Sequence, residues 1–407
     1  MKLALLGIDS HVAALADAVA ASPSHEVAVV CGASDVGREV LTAHPAASFE
    51  SEWEALLLSR EFDLLIVGTQ CESFELRAEQ LRRFVQEGVP TVVVQPAAEA
   101  IVCHELAMIQ NDTRSLLAAW NPVTAHPAAR WIERSWNLQT TGAAAIRQVS
   151  FQRVMESAGW PEIQCQLARD AQWITRLIGP PNRVTALSAQ SDAGSPAGLA
   201  VTLVGEGEAI AQWSTSGAGG EDVISITAGA SGTAKWVTAS DANVRATVSQ
   251  GKDQQEMSWT EQDVLRETSH DFLRMIDELV HSHETDRSFD QATRAVEVAE
   301  AAKDSNRRNR TIQLHYEEHS EQQTFKSVMA AGGCLILLGV LFVLGASILI
   351  DSIGAPVRNN PWWRIWPAYL LAPVVLFLLA QILWRVFASA SANHSSPSPP
   401  READSAN

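Results

Sequence analysis

Met1-Lys2-Leu3-Ala4-Leu5-Leu6-Gly7-Ile8-Asp9-Ser10-His11-Val12 opens the sequence with an apolar run, a glycine and a polar turn. The run has the length of a buried strand and is too short for a secretory signal. It also lacks a cleavage site, so the chain is expected to stay in the cytoplasm. Working outward, strands are predicted at 2–7, 26–31, 63–67, 91–94 and 115–120. Helices are predicted between them at 12–21, 49–58, 74–87 and 97–110. Near-continuous apolar strands separated by amphipathic helices predict a parallel, doubly wound α/β sheet covered on both faces.

Beyond residue 120 the pattern changes. A helix is predicted at 125–137, a strand at 146–155 and a helix at 166–178, stopped by Gly179-Pro180-Pro181. Strands at 184–189, 199–204, 208–214, 222–228, 233–238 and 243–247 follow, punctuated by Gly and Asp turns. Helices at 261–281 and 290–306 and a short strand at 311–316 complete this part. The reading is an α+β domain with an open, mostly antiparallel sheet, one face covered by helices. The predicted domains are therefore 1–120 and 121–316.

A polar linker at 317–326 leads into two long apolar runs, 327–350 and 365–384, without a charged side chain. Each exceeds or matches the roughly 20 helical residues that cross a hydrocarbon core, so 327–388 is predicted to be a transmembrane hairpin. Trp362, Trp363 and Trp366 at one end of the second run and Trp384 with Arg385 at the other suit the two headgroup regions. Gly332, Gly339 and Ala346 give the first run a face of small residues for helix packing. No ionisable residue lies mid-span, which argues against a transport path. Arg307, Arg308, Arg310 and Lys326 precede the first run, Arg385 and Arg401 follow the second, and the intervening segment has Arg358 and Arg364. The bias predicts a protein of the inner, cytoplasmic membrane with head and both ends inside. The tail at 389–407, rich in Ser, Pro and Ala, is expected to be disordered.

The 407 residues carry a net charge of −17, and no basic stripe offers a nucleic acid its phosphate contacts. Five cysteines, Cys31, Cys71, Cys103, Cys165 and Cys334, include no CxxC pair, so neither a disulfide framework nor a zinc site is expected. His281 and His283 near a helix end do not share a helical face, and a solvated terminus is expected there. His104 beside Glu105 has no nucleophile partner at motif spacing. Gly205-Glu206-Gly207 and Gly217-Ala218-Gly219-Gly220 fall between predicted strands and read as turns.

Several segments, in this order and spacing, carry a family resemblance. They are 62–69 (Phe62 to Thr69), 86–96 with Val94-Gln95-Pro96, 175–181, 272–276, and 289–301 with Ser305 and 311–314. Together with the opening strand and turn, residues 1–316 resemble the Gfo/Idh/MocA oxidoreductases, the relatives of glucose–fructose oxidoreductase and inositol dehydrogenase. The resemblance implies an NAD or NADP site at Gly7, Asp9, Ser10, Thr69 and Gln95. It places Gln95 where the family has its catalytic lysine and Arg169 where it has its catalytic histidine. A phosphate turn needs room for pyrophosphate, yet Asp9 and Val12 replace its second and third glycines. The second strand ends Val30-Cys31-Gly32-Ala33, without the acid that holds a ribose hydroxyl. Gln95 cannot exchange a proton, and the guanidinium of Arg169 is a poor base.

Two functions follow. One is a membrane-anchored, degenerate relative that binds a ligand or scaffolds; the other is an active NAD(P)-dependent oxidoreductase acting on a sugar or cyclitol. Arg169 and Asp170 with Gln95 form either a polar pocket for an anionic ligand or a surface ion pair, and a small polyol is the other partner expected. The family's exposed sheet face further implies a homo-oligomer.

Overall fold

The computed structural model describes residues 1–314, apart from 33–34, 137–145, 156–158, 191–195, 206–208, 218–219, 229–231, 240–242 and 282–287, and beyond 314 it describes 341, 342, 345 and 349. Contacts divide the chain into a unit Met1–Tyr316 and a unit Glu317–Asn407.

Within the first unit, β1 (Lys2–Leu6), β2 (Glu26–Cys31), β3 (Ser48–Glu50), β4 (Leu64–Val67), β5 (Thr91–Val94) and β6 (Leu117–Trp120) form one sheet in the order β3-β2-β1-β4-β5-β6. Every pairing in it is parallel. Residue alternation sends Leu3 and Leu5 to one face and Ala4 and Leu6 to the other. The first face buries α1 (Ser10–Ala20) and α2 (Asp35–Ala43). The second buries α3 (Glu54–Ser59), α4 (Phe74–Gln86) and α5 (Ala100–Thr113).

The chain then passes through α6 (Pro122–Ala125) and α7 (Pro127–Ser135) into a second sheet. Its strands are β7 (Gln148–Val154), β8 (Arg183–Gln190), β9 (Pro196–Val204), β10 (Ile210–Ser216), β11 (Asp222–Ala228), β12 (Gly232–Thr238), β13 (Val244–Gln250), β14 (Asp253–Trp259) and β15 (Ile312–Gln313). The order is β14-β13-β12-β11-β7-β10-β9-β8-β15, antiparallel except where β7 runs parallel to β10. Val149, Phe151, Trp213, Ile224 and Ile226 point to one face. There they pack on α8 (Trp160–Ile178) and α10 (Ser288–Arg308).

The sheet architecture matches both sequence expectations, with three local differences. The helix expected at 49–58 is the edge strand β3 followed by α3, because Phe49 pairs with Val30 rather than entering a helix. Helix α2 went unpredicted; its apolar positions are few and Gly37 interrupts them. Strand β14 also went unpredicted: six of its seven residues are exposed, so no apolar alternation marks it.

The long C-terminal helices bind the two sheets together. Phe272, Leu273 and Ile276 of α9 (Glu261–His281) pack beside α1, while Phe289 and Ala292 of α10 join the opposite face. Buried His25 adds a polar tie: Nδ1 meets Ser24 Oγ at 2.8 Å and Nε2 meets Asp277 of α9 at 3.1 Å.

No helix among the described residues is long and apolar enough to cross a membrane. The runs at 327–350 and 365–384, the linker and the tail lie outside the described residues, except that Leu341, Phe342, Gly345 and Leu349 are helical. His283 and Cys334 also lie outside them. Cys31, Cys71, Cys103 and Cys165 are free thiols.

Candidate functional site

Open parallel sheets place ligands at the carboxyl ends of their strands. Here β1 ends at Leu6, and Gly7 turns the chain with φ +66°. Only glycine adopts this conformation cheaply. A Cβ at Gly7 would also collide with the Arg77 guanidinium and the Gln70 carbonyl. Gly7→Ala should therefore lower stability by more than about 1–2 kcal/mol from the backbone alone, read as a drop in urea midpoint. Lost cofactor binding in that variant would consequently not make Gly7 a cofactor contact.

Asp9 is the N-cap of α1, with extended backbone. Its Oδ1 accepts from the His11 and Val12 amides, both at 3.0 Å. Its Oδ2 accepts from the Thr69 amide at 2.8 Å and the Thr69 hydroxyl at 2.7 Å. One carboxylate thus takes up three backbone amides and a hydroxyl at the first helix's N-terminus, where such folds hold a phosphate. Burial pushes its pKa up, but the Thr69 hydroxyl and the amides outweigh this and hold it below the usual aspartate range. Its contribution to stability is complete above that range and is lost as pH falls through the lower folded value. Ser10, the other predicted turn contact, is exposed.

Arg77 closes the turn from α4. It is buried, donates from Nη2 to the Gln70 carbonyl at 2.6 Å and from Nη1 to Gln80 Oε1 at 3.0 Å. The turn as built does not fit a pyrophosphate. The amides are capped by an internal anion, and the space over Gly7 holds a side chain.

Gln95 follows β5 and is fully buried. Its Nε2 donates to the Ala168 carbonyl at 3.1 Å and to that of Ala292 at 3.5 Å. Its Oε1 is buried with no partner among the described residues. Arg169, half-buried on α8, donates from Nε to the Gln95 carbonyl at 2.8 Å. The structure thus joins Gln95 to Arg169 and Asp9 to Thr69, with Gly7 in the turn just before Asp9.

Asp170 departs from both sequence readings. It is neither in a pocket with Arg169 nor in a surface ion pair, because the next helical position turns it away from Gln95 and into the second core. It is 0 % exposed. Arg153 of β7 grips it through Nε at 2.9 Å and Nη2 at 2.5 Å, and Trp213 Nε1 donates at 2.7 Å. Arg153 also reaches Asp222 at 3.0 Å. Burial alone would lower the guanidinium's pKa; the two carboxylates more than reverse this.

Sequence reasoning missed the histidines around the site. His11 meets the Trp120 ring edge-on at 5.8 Å, and burial, then the Arg169 charge, lower its pKa against the pull of Asp9. His126 stacks on Trp236 at 4.2 Å, and its Nδ1 caps α7 by accepting from the Ala128 amide. Burial, then Arg153 and His11, push its imidazole down to about 3. Both rings are neutral at neutral pH. Their share of stability is complete above the ordinary histidine pKa and falls as pH drops towards the folded value, by up to about 1.4 kcal/mol per pH unit for each proton. Urea midpoints should decline between pH 7 and 4. His126→Asn, which keeps a capping oxygen, should flatten that decline; an unchanged slope would contradict the assignment. Cys165, on α8, is made less acidic by burial against the opposing charge of Arg169, so it is not an activated thiol. Among the described residues no group of three or more metal-ligating side chains occurs.

No protein-family model matches the chain, and no curated protein matches it by sequence. Solved structures do. A myo-inositol dehydrogenase from Corynebacterium glutamicum aligns with 78% of this chain and 99% of its own at 15% identity, with a TM-score of 0.61. An Agrobacterium radiobacter oxidoreductase in complex with NAD+, L-tartaric acid and magnesium covers 77% and 98% at 14% identity, TM-score 0.63. The fold is that of these oxidoreductases. A third example is the biliverdin reductase of Synechocystis, in complex with biliverdin and NADP+, at 14% identity over 75% of this chain and 98% of that one, TM-score 0.57. Each neighbour is matched over nearly its whole length, so the shared fold accounts for about three-quarters of this chain.

Proposed function

We propose that the chain is a membrane-tethered member of the Gfo/Idh/MocA group that does not transfer hydride and instead binds a small polyol or anionic ligand, or scaffolds a partner. One observation carries this reading: the Asp9 carboxylate sits on the amides that would hold the cofactor's pyrophosphate. Binding of NAD or NADP is then weak or absent. Gln95 and Arg169 support the same conclusion. Gln95 has no titratable group to pass a proton, and both side chains are engaged in holding α8 against the end of β5.

Full-length protein incubated with NAD+ or NADP+ and myo-inositol or glucose should form no reduced cofactor, followed by absorbance. Steady turnover would overturn the proposal. One observation favours the rival, an active sugar or cyclitol oxidoreductase. Glu50, Glu52 and Glu54 lie close enough to Cys31, after burial, to help push its thiol up to about 12. Acidic side chains therefore border the end of β2, where a ribose would be held, although the strand itself ends without one.

The uncharged runs at 327–350 and 365–384 support a hairpin anchor in the cytoplasmic membrane with the head inside. Full-length protein should resist alkaline carbonate extraction from membranes, whereas a chain ending at residue 316 should be released. Release of the full-length protein would contradict the tether.

A further inference from the structure

A cavity is formed by α6, α7 and α9. It has a volume of about 270 Å³ and is lined by Ala125, Pro127, Arg130, Arg134, Glu267, His270, Asp271 and Arg274. In a chain of net charge −17, three guanidiniums meeting in one cavity run against the average surface. Two of them are fixed in place. Arg130 Nη1 and Arg274 Nη2 each lie 2.5 Å from the same oxygen of Asp271. That carboxylate is itself largely covered, and burial raises its pKa against the pull of the two arginines. Arg134 donates from Nε to the Arg130 carbonyl at 3.2 Å, which aims its stem along α7. Its terminal amino groups have no partner among the described residues. His270 also lines it.

We infer that this cavity binds a small polyanion bearing phosphate or carboxylate groups. Asp271 neutralises one guanidinium's worth of charge while orienting two, and Glu278, 3.6 Å from Arg274 Nε, offsets part of a second. Arg134 supplies the uncommitted fork, whose planar donors match a carboxylate or phosphate. Glu267 opposes the anion and sets its affinity. The volume exceeds that of a single phosphate group, so a ligand with two anionic groups uses the site best.

Calorimetric titration of the full-length protein with citrate and with inorganic phosphate tests this. Citrate should bind with a dissociation constant below about 1 mM and more tightly than phosphate. Arg134→Ala, an exposed change that leaves the Arg130–Asp271–Arg274 cluster in place, should weaken citrate at least about tenfold. Glu267→Gln should tighten it. No heat at 10-fold higher citrate, that is about 10 mM, or equal affinity in wild type and Arg134→Ala, would overturn the assignment.

Discussion

Asp9→Gly should make the protein a better binder of NAD(P)(H), by about 30-fold or more. The substitution withdraws a full negative charge from the place where pyrophosphate would dock. A like charge a few ångströms away in a partly dry site costs several kcal/mol. It also frees the His11, Val12 and Thr69 amides, now bound at 2.8–3.0 Å, to donate to a phosphate. The helix end tolerates the change because glycine is only a few tenths of a kcal/mol worse than aspartate as an N-cap. Loss of the two Thr69 bonds should lower stability by about 1–3 kcal/mol. Asp9→Asn is the control: it removes the charge but keeps a side chain over the turn, so its gain should be smaller. Fluorescence quenching of full-length wild type and variants by NADH reads both. If Asp9→Gly binds no better than wild type, the carboxylate is not what closes the site.

The largest loss of stability should come from Asp170→Ala, about 3–5 kcal/mol by urea unfolding. Asp170 is fully buried and accepts from Arg153, Trp213 and Gln166. Removing it strands a buried guanidinium and a buried indole N–H, and the remaining Asp222 reaches only one end of Arg153. Asp170→Asn should cost less, because it can still accept from Trp213. By contrast, Arg169→Ala removes one bond to a backbone carbonyl at a half-buried position and should cost about 1 kcal/mol. Equal losses at the two positions would contradict the separation of Arg169 from Asp170.

Most of the first sheet could be read from the chain because its strands are buried on both faces and appear as unbroken apolar runs, as in Leu64-Leu65-Ile66-Val67. The edge elements could not. Ser48-Phe49-Glu50 and the exposed β14 are held by backbone pairing, which leaves no apolar period. The interlocking of the two sheets was equally hidden. Phe272 and Phe289 read as ordinary apolar positions of helices, and only the tertiary path shows them on opposite faces of the first sheet. In the site, the altered turn was visible as Asp9 in a glycine's place. The partner of Asp9, Thr69, is 60 residues away, and spacing alone does not disclose such a bond. Asp170 was misjudged for a related reason. Its neighbour Arg169 suggested a local pair, while its true partner, Arg153, lies 17 residues earlier on strand β7 of the sheet beneath α8.

If the Asp9 carboxylate holds the place of a cofactor's pyrophosphate, as proposed, the full-length wild-type protein titrated with NADH and NADPH should give no saturable tryptophan quenching and no rise in melting temperature at about 1 mM cofactor, an affinity of less than about 4 kcal/mol. Saturable binding in the micromolar range would mean that Asp9 leaves the site open.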